Sequence, residues 1–308
     1  MMKHLKLLLL LMLTVVVVSA CGNSDEAAAN ENAANDGAWP EVLKVAKLQT
    51  EGDESLERTS TEFWEDLGEE LEIEIEFFEG SDYTSMIEAM RAEQLDLTNF
   101  GPFGYIIATE RSGAKPIAIM GQSEEEAFYT SQIVTHADSG IETLADLEDK
   151  SFLFVDPAST SGNLFPRSLL LNELGLTNDD LENYFSSVSY SGGHDKSVLA
   201  IANGDGDAAA VAPMVLDMLA ESGLVDKADF KVIGETAAIP SAPLTYREGL
   251  PEDLIEQITE FSLNYHEVNP EYFELQGYSA YYPVEDSDYD VVRDVAENLD
   301  MSPEELLE

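Results

Sequence analysis

DPASTSGNLFP, residues 156–166, lies between the β-rich run FLFVD (152–156) and the helix-like FPRSLLLNEL (165–174). One hydroxyl at the mouth of a helix is enough to cap it, because a Ser or Thr oxygen accepts a hydrogen bond from one of the first free N–H groups. Here Ser159, Thr160 and Ser161 supply three, and Gly162 follows. The surplus points to a loop and helix start that hold an anion with unpaired amides, hydroxyl donors and the positive end of the helix dipole. A strand that hands over to a helix in this way is the repeating unit of an α/β fold, so the rest of the chain decides whether the unit recurs.

It does recur. From Val42 onward, VLKVAKL, LERTSTEFWEDLG, LEIEIEFF, YTSMIEAMRAEQ, LDLTNF, PFGYIIATERSG and KPIAIMG alternate strand-like with helix-like runs. Strands separated by helices of about ten residues imply crossover connections and a mainly parallel sheet covered on both faces. The strict alternation at the start of LEIEIEFF leaves one face of that strand less buried. A second block, from about Phe128 to Gly234, repeats the pattern with SQIVTH, SFLFVD, SSVSYS, DAAAVAP and FKVIG as strands. After the turn-rich IPSAPLTYREGLP (239–251), long amphipathic helices return toward the first block. The expected architecture is two α/β lobes, 39–125 with 238–308 and 126–237, with a ligand cleft between them where strand ends and helix N-termini converge.

The chain begins MMKHLKLLLLLMLTVVVVSAC (1–21), a short basic start, a largely apolar run and small residues before a cysteine. The run is too short for a comfortable bilayer span of about 20 residues, and the pattern is that of an export signal, 1–20, cleaved before Cys21. Cys21 is the only cysteine, so no intrachain disulfide can form. Residues 21–38, poor in aromatic and β-branched types, are expected to form a flexible tether. The chain carries 62 acidic against 15 basic residues, a formal net charge of −47. Such a surface repels nucleic acid and anionic lipid, and it stays soluble where salt screens its self-repulsion.

Three further places put polar groups where a strand meets a helix: SDYTSMIEAM (81–90), with Ser81 or Asp82 as cap and Tyr83 at the mouth; NFGPFGYIIA (99–108), with Pro102 opening a helix; and SGGHDKSVLAI (191–201), with His194 at a helix entrance. Singly, each has an ordinary explanation as a cap or a glycine turn. Catalytic patterns are missing: there is no serine elbow, no paired-histidine metal helix, no glycine-lysine phosphate loop and no cysteine pair. NGDGDA (203–208) contains too few calcium-loop ligands and is taken as a turn. The aromatic-rich tail NYHEVNPEYFELQGYSAYYP (264–283) either packs on the last helices or lends tyrosines to the cleft. No cofactor and no metal are expected.

The segments DYTSMIEAM, LDLTNFGPFGYIIA, YTSQIV, FVDPASTSGNLFP, GGHDKSVLAIANGDGDAAAV and IPSAPLTYR, in this order, resemble the phosphonate and phosphite substrate-binding proteins of ABC importers. VSAC likewise resembles the lipobox of bacterial lipoproteins, which makes Cys21 the lipidated first residue of the mature chain. The resemblance implies a periplasmic-binding-protein fold of the second type and a non-enzymatic, extracytoplasmic, monomeric receptor that delivers its ligand to a permease. It also implies that phosphonate oxygens sit on the helix start at Ser159, Thr160, Ser161 and Gly162, with Tyr83, Tyr129 and His194 completing the shell and Tyr105 as a further candidate. Gly104 stands where the family often has serine, which removes one hydroxyl. Members that bind aminoalkyl phosphonates carry acids near positions held here by Met214 and by Ser241 or Ala242, so the expected ligand has no amine: phosphite, a small alkyl phosphonate or phosphate. Receptors for a sulfonate, a thiamine precursor or an arsenic oxyanion, and a phosphate-ester hydrolase, are the alternatives. If His194 contacts the anion, its protonation near the ordinary value of about 6.5 should tighten binding as pH falls.

Overall fold

The computed structural model describes residues 38–48, 54–80 and 82–301. The signal, Cys21, the tether up to residue 37 and Ser81 lie outside the described residues. In chain order the first block comprises β1 (Val42–Leu48), α1 (Glu54–Leu71), β2 (Glu74–Gly80), α2 (Tyr83–Arg91), β3 (Leu97–Asn99), α3 (Pro102–Ser112) and β4 (Lys115–Gly121). After β5 (Phe128–Tyr129) come β6 (Gln132–His136), β7 (Ser151–Phe154), α4 (Phe165–Leu174), α5 (Asn178–Tyr184), β8 (Ser187–Tyr190), α6 (His194–Asn203), β9 (Ala208–Val211), α7 (Pro213–Glu221) and β10 (Phe230–Glu235). The return consists of β11 (Ile239–Pro240), β12 (Pro243–Tyr246), α8 (Glu252–Val268), α9 (Pro270–Glu274), β13 (Ala280–Pro283) and α10 (Asp290–Asn298).

Two larger sheets result, ordered β13-β4-β12-β3-β1-β2 and β10-β6-β9-β7-β8. The chain passes from the first to the second between Gly121 and Gln132 and returns between Glu235 and Pro243. The two passages pair with each other as antiparallel β5 and β11, Tyr129 opposite Ile239. The sheets are mixed, not mainly parallel as the alternation of elements predicts. Strands joined by helices are parallel, as in β1 with β2 and β7 with β8. The return strand β12 enters from the opposite direction and inserts between β3 and β4, antiparallel to both, while β6 runs against β9 and β10. A pattern of local periodicity carries no information about such an insertion.

The cores follow from the spacing of apolar residues. Phe63, Trp64, Leu67 and Leu71 fall on one face of α1 and pack with Leu254, Ile258, Tyr265, Tyr272 and Phe273 against Leu43 and Val45 of β1. The aromatic tail is used here: Phe63 stacks on Tyr272 with centroids 5.1 Å apart and meets Tyr265 edge-on at 4.9 Å. β2 keeps Glu74, Glu76 and Glu79 exposed at the sheet edge, where charge discourages pairing with another chain. β9 is small and buried on both faces: Ala208 and Ala210 join one apolar cluster, Ala209 and Val211 another with Val198, Ile201 and Leu219. Its end thereby sits close under α6. Phe100, Phe103 and Ile106 of the first block, Leu164 and Phe165 of the second, and Val292, Ala296 and Leu299 from α10 onward share a single cluster. Asn178 of α5 donates to the Leu299 carbonyl, so the C-terminal segment touches both blocks.

Candidate oxyanion-binding site

The loop after β7 has an unusual start. Pro166 has no N–H to give to the carbonyl four residues back, that of Gly162. Val155 N–H takes that carbonyl at 2.9 Å, and the helix opens with a wide turn in which Leu164 N–H reaches Ser159 O at 3.0 Å and Phe165 N–H reaches Thr160 O. Ser159 Oγ accepts from Gly162 N–H at 3.0 Å. Gly162 is therefore committed at both its amide and its carbonyl, and a Cβ there would lie 2.3 Å from Val155 Cβ. Expected as a ligand contact, it serves as scaffold. The amides of Thr160 and Ser161 find no acceptor among the described residues and stand at the positive end of the helix.

The hydroxyl trio is almost solvent-free, with Ser159, Thr160 and Ser161 exposed by 1%, 2% and 4%. What covers it is the remainder of the expected shell. Thr160 Oγ1 accepts from Phe103 N–H at 2.7 Å, the first turn of α3 reaching across from the other sheet. The Tyr83 hydroxyl faces Ser159, and the Tyr129 hydroxyl faces Ser161 and Thr160. Burial, with the Asp156 charge nearby, pushes the Tyr83 phenol up to about 12, and burial raises Tyr129 as well. Both stay protonated and can donate. Asp82 caps α2, accepting from Ser85 N–H at 2.7 Å, which fixes Tyr83 at the helix mouth. Asp156, 5% exposed, accepts from Ala158 N–H at 2.8 Å and faces the Tyr83 amide; burial lifts its carboxyl above the usual range.

His194 lies 3.1 Å from Ser161 Oγ through Nε2, and its Nδ1 accepts from Ala212 N–H at 3.0 Å. An accepting Nδ1 carries no proton, so the neutral ring holds its proton on Nε2 and presents it to the trio. Gly192, at φ +82°, turns the chain so that α6 begins at this ring. Burial lowers the imidazole from 6.5 to about 4, against the opposing charge of Asp195. The expected titration near 6.5 is thus corrected: desolvation and the Ala212 amide both disfavour the imidazolium. Affinity of wild type relative to His194→Gln should stay constant between about pH 6 and 8, read by calorimetry. A folded-state value below the unfolded one means that stability is full above 6.5 and is lost as pH falls from 6.5 through about 4. A wild-type preference that grows toward pH 6 would restore a titrating ring.

Tyr105 does not join the group. Its ring is fully buried beside Tyr289 and its hydroxyl donates to Asp286 Oδ1 at 2.5 Å, which Arg293 also holds. α3 buries residues on every side from Pro102 to Ala108, so its periodicity cannot tell which face looks into the cleft. Tyr105→Phe should leave ligand affinity unchanged and cost about 1 kcal/mol of stability; a tenfold affinity loss in calorimetry would return Tyr105 to the shell. Participants that residue-type patterns miss are the Phe103 amide and Ser131. Ser131 Oγ bonds to the Ser161 and Val211 carbonyls and so ties the loop to β9. Its place in YTSQIV, a second hydroxyl at a strand entrance, is the signal that could have found it.

Two mixed sheets joined by paired crossover strands, with neutral donors gathered on a helix start between them, define a two-lobed solute receptor. The family model described as "ABC transporter, phosphonate, periplasmic substrate-binding protein" matches residues 46–289. The chain belongs to this family. It is 30% identical to the phosphate-import protein PhnD of Mycolicibacterium smegmatis, with 96% of each chain covered. It is 28% identical to the phosphonates-binding periplasmic protein of Escherichia coli over 73% of this chain and 66% of that one. The fold is that of PhnD1 from Prochlorococcus marinus, solved with methylphosphonate: TM-score 0.74, 18% identity, 85% and 99% of the two chains.

Proposed function

We propose that the protein captures a small phosphorus oxyanion without an amine, namely phosphite, an alkyl phosphonate or phosphate, and hands it to the transmembrane subunits of an ABC importer. It acts as a monomer outside the cell, held to the membrane by lipid on Cys21, and it is not an enzyme. Residues 39–125 with 238–308 form one lobe and 126–237 the other. Because the trio is covered, the lobes must part about β5 and β11 to admit ligand.

The observation that carries this reading is the convergence of Ser159, Thr160, Ser161, Tyr83, Tyr129 and the Nε2–H of His194, all neutral donors, on one helix start. Micromolar affinity needs about 8 kcal/mol. A hydrogen bond to a charged group contributes about 1.5–3 kcal/mol and a helix start up to about 2, so four or five donors meet the need and offset ordering costs. The net charge of −47 does not forbid an anion, because charges beyond roughly 8 Å are screened at physiological salt. Met214, 40% exposed at the start of α7, and Ser241, 1% exposed, offer no carboxylate to an ammonium group.

A thermal-shift panel of phosphite, methylphosphonate, phosphate, sulfate and aminoethylphosphonate tests the reading. Stabilisation by one of the first three supports it. A strong shift with aminoethylphosphonate contradicts the exclusion of amines, and turnover of a chromogenic phosphate ester contradicts a pure receptor.

A further inference from the structure

Behind the helix start lies a cation that no carboxylate among the described residues answers. Arg167 is on α4, six residues past Ser161, and only 9% exposed. Its Nε donates to Asn163 Oδ1 at 3.3 Å and its Nη2 to the Tyr190 hydroxyl at 3.4 Å, and its guanidinium carbon sits 4.7 Å from the centre of the Phe154 ring. All three partners are neutral. Arg91, Arg111, Arg247 and Arg293, the other arginines whose side chains are described, each pair with a carboxylate. In a chain of net charge −47, a buried arginine left with neutral partners is conspicuous, because an unpaired buried charge is costly.

Its position says what answers it. Phe154 and Tyr190 are register partners at the ends of parallel β7 and β8. The loops leaving those two ends carry Ser159–Ser161 and His194, so the guanidinium, held at Phe154 and Tyr190, lies at the end of the sheet from which both loops depart. Asn163, which Arg167 holds, gives its own amide to Pro157 O at 2.8 Å and so fixes the loop. Six residues of helix rise about 9 Å, and helical side chains lean back toward the N-terminus, which brings the charge closer to the trio. Asp156, the acid on the same loop, accepts from Ala158 N–H and forms no ion pair with Arg167 among the described residues.

We propose that Arg167 is the fixed counter-charge of the site: without touching the ligand, it makes the cradle select doubly charged oxyanions over singly charged ones of the same shape. This rests on the oxyanion reading above. At about 10 Å and an effective dielectric near 20, one protein charge changes affinity roughly tenfold per ligand charge.

The test compares methylphosphonate with methanesulfonate in mildly alkaline buffer, where they carry two charges and one, by calorimetry and by competition. Arg167→Met should lose roughly a hundredfold for methylphosphonate and roughly tenfold for methanesulfonate, narrowing the preference about tenfold. Arg167→Lys should keep most of the methylphosphonate affinity. Arg167→Gln, which can still bond to Asn163 and Tyr190, should behave like Met and guards against a Met variant that fails to fold. Equal losses for the two anions, or equal losses of methylphosphonate binding in Lys and Gln, overturn the inference and leave Arg167 a packing residue. Should methanesulfonate compete with neither protein, the Lys and Gln comparison alone decides. A wild-type protein that binds neither anion overturns the functional reading, and this inference with it.

Discussion

Gly162→Ala is expected to abolish measurable oxyanion binding and to lower the thermal midpoint by about 2–12 °C. The new Cβ would stand 2.3 and 2.4 Å from Val155 side-chain carbons and 2.8 Å from Ser159 Oγ. Val155 is fully buried and cannot retreat without moving β7's end, so the loop must give instead. Overpacking of this kind costs about 1–3 kcal/mol, and a chain of this size loses about 2–4 °C per kcal/mol. Binding suffers more than stability, because the displaced atoms are the Ser159 cap and the Gly162 carbonyl, which Val155 N–H holds in place of the missing Pro166 donor. Calorimetric scans with and without methylphosphonate separate the two effects. Wild-type binding by the variant would mean that the loop is not the ligand's seat.

Thr160→Val should weaken binding by between about 70-fold and 20,000-fold while leaving the fold intact. Valine matches threonine in shape and removes only the hydroxyl. That hydroxyl has two tasks: it accepts Phe103 N–H across the lobes at 2.7 Å and keeps its own proton for the oxyanion. Losing a hydrogen bond to a charged group costs about 1.5–3 kcal/mol, and a buried amide left without a partner costs about 1–3 more, in the closed state alone. The unliganded protein can relieve the second cost by opening, so its circular dichroism and thermal midpoint should change little. Unchanged affinity would remove Thr160 from the site.

Much of this was legible in the chain because it is written in local chemistry. Three hydroxyls after a strand mark a helix start, and the helix does begin there. Alternating strand and helix runs gave both blocks, and LEIEIEFF announced a less buried face by its alternation, as exposed Glu74 and Glu76 show. What was not legible depends on distant partners. Nothing near β12 says that it will slide between β3 and β4. FP in FPRS is visible, but the wide turn it forces, and the Val155 amide that takes the freed carbonyl, arise only once β7 is beside it. His194 reads as an ordinary titrating imidazole until Ala212 N–H occupies Nδ1. Tyr105 sits in a helix buried all round, where facing cannot be read from spacing. Backbone donors such as Phe103 N–H have no residue type to betray them.

The central physical claim is that neutral hydroxyls and backbone amides, in place of contacting cations, surround the anion. A crystal structure of the protein with methylphosphonate tests this most directly. The expected result is phosphonate oxygens within about 3 Å of the Ser159, Thr160 and Ser161 hydroxyls and of the Thr160 and Ser161 amides, with His194 Nε2 donating. A phosphonate seated elsewhere, or held by lysine or arginine in direct contact, would contradict the account.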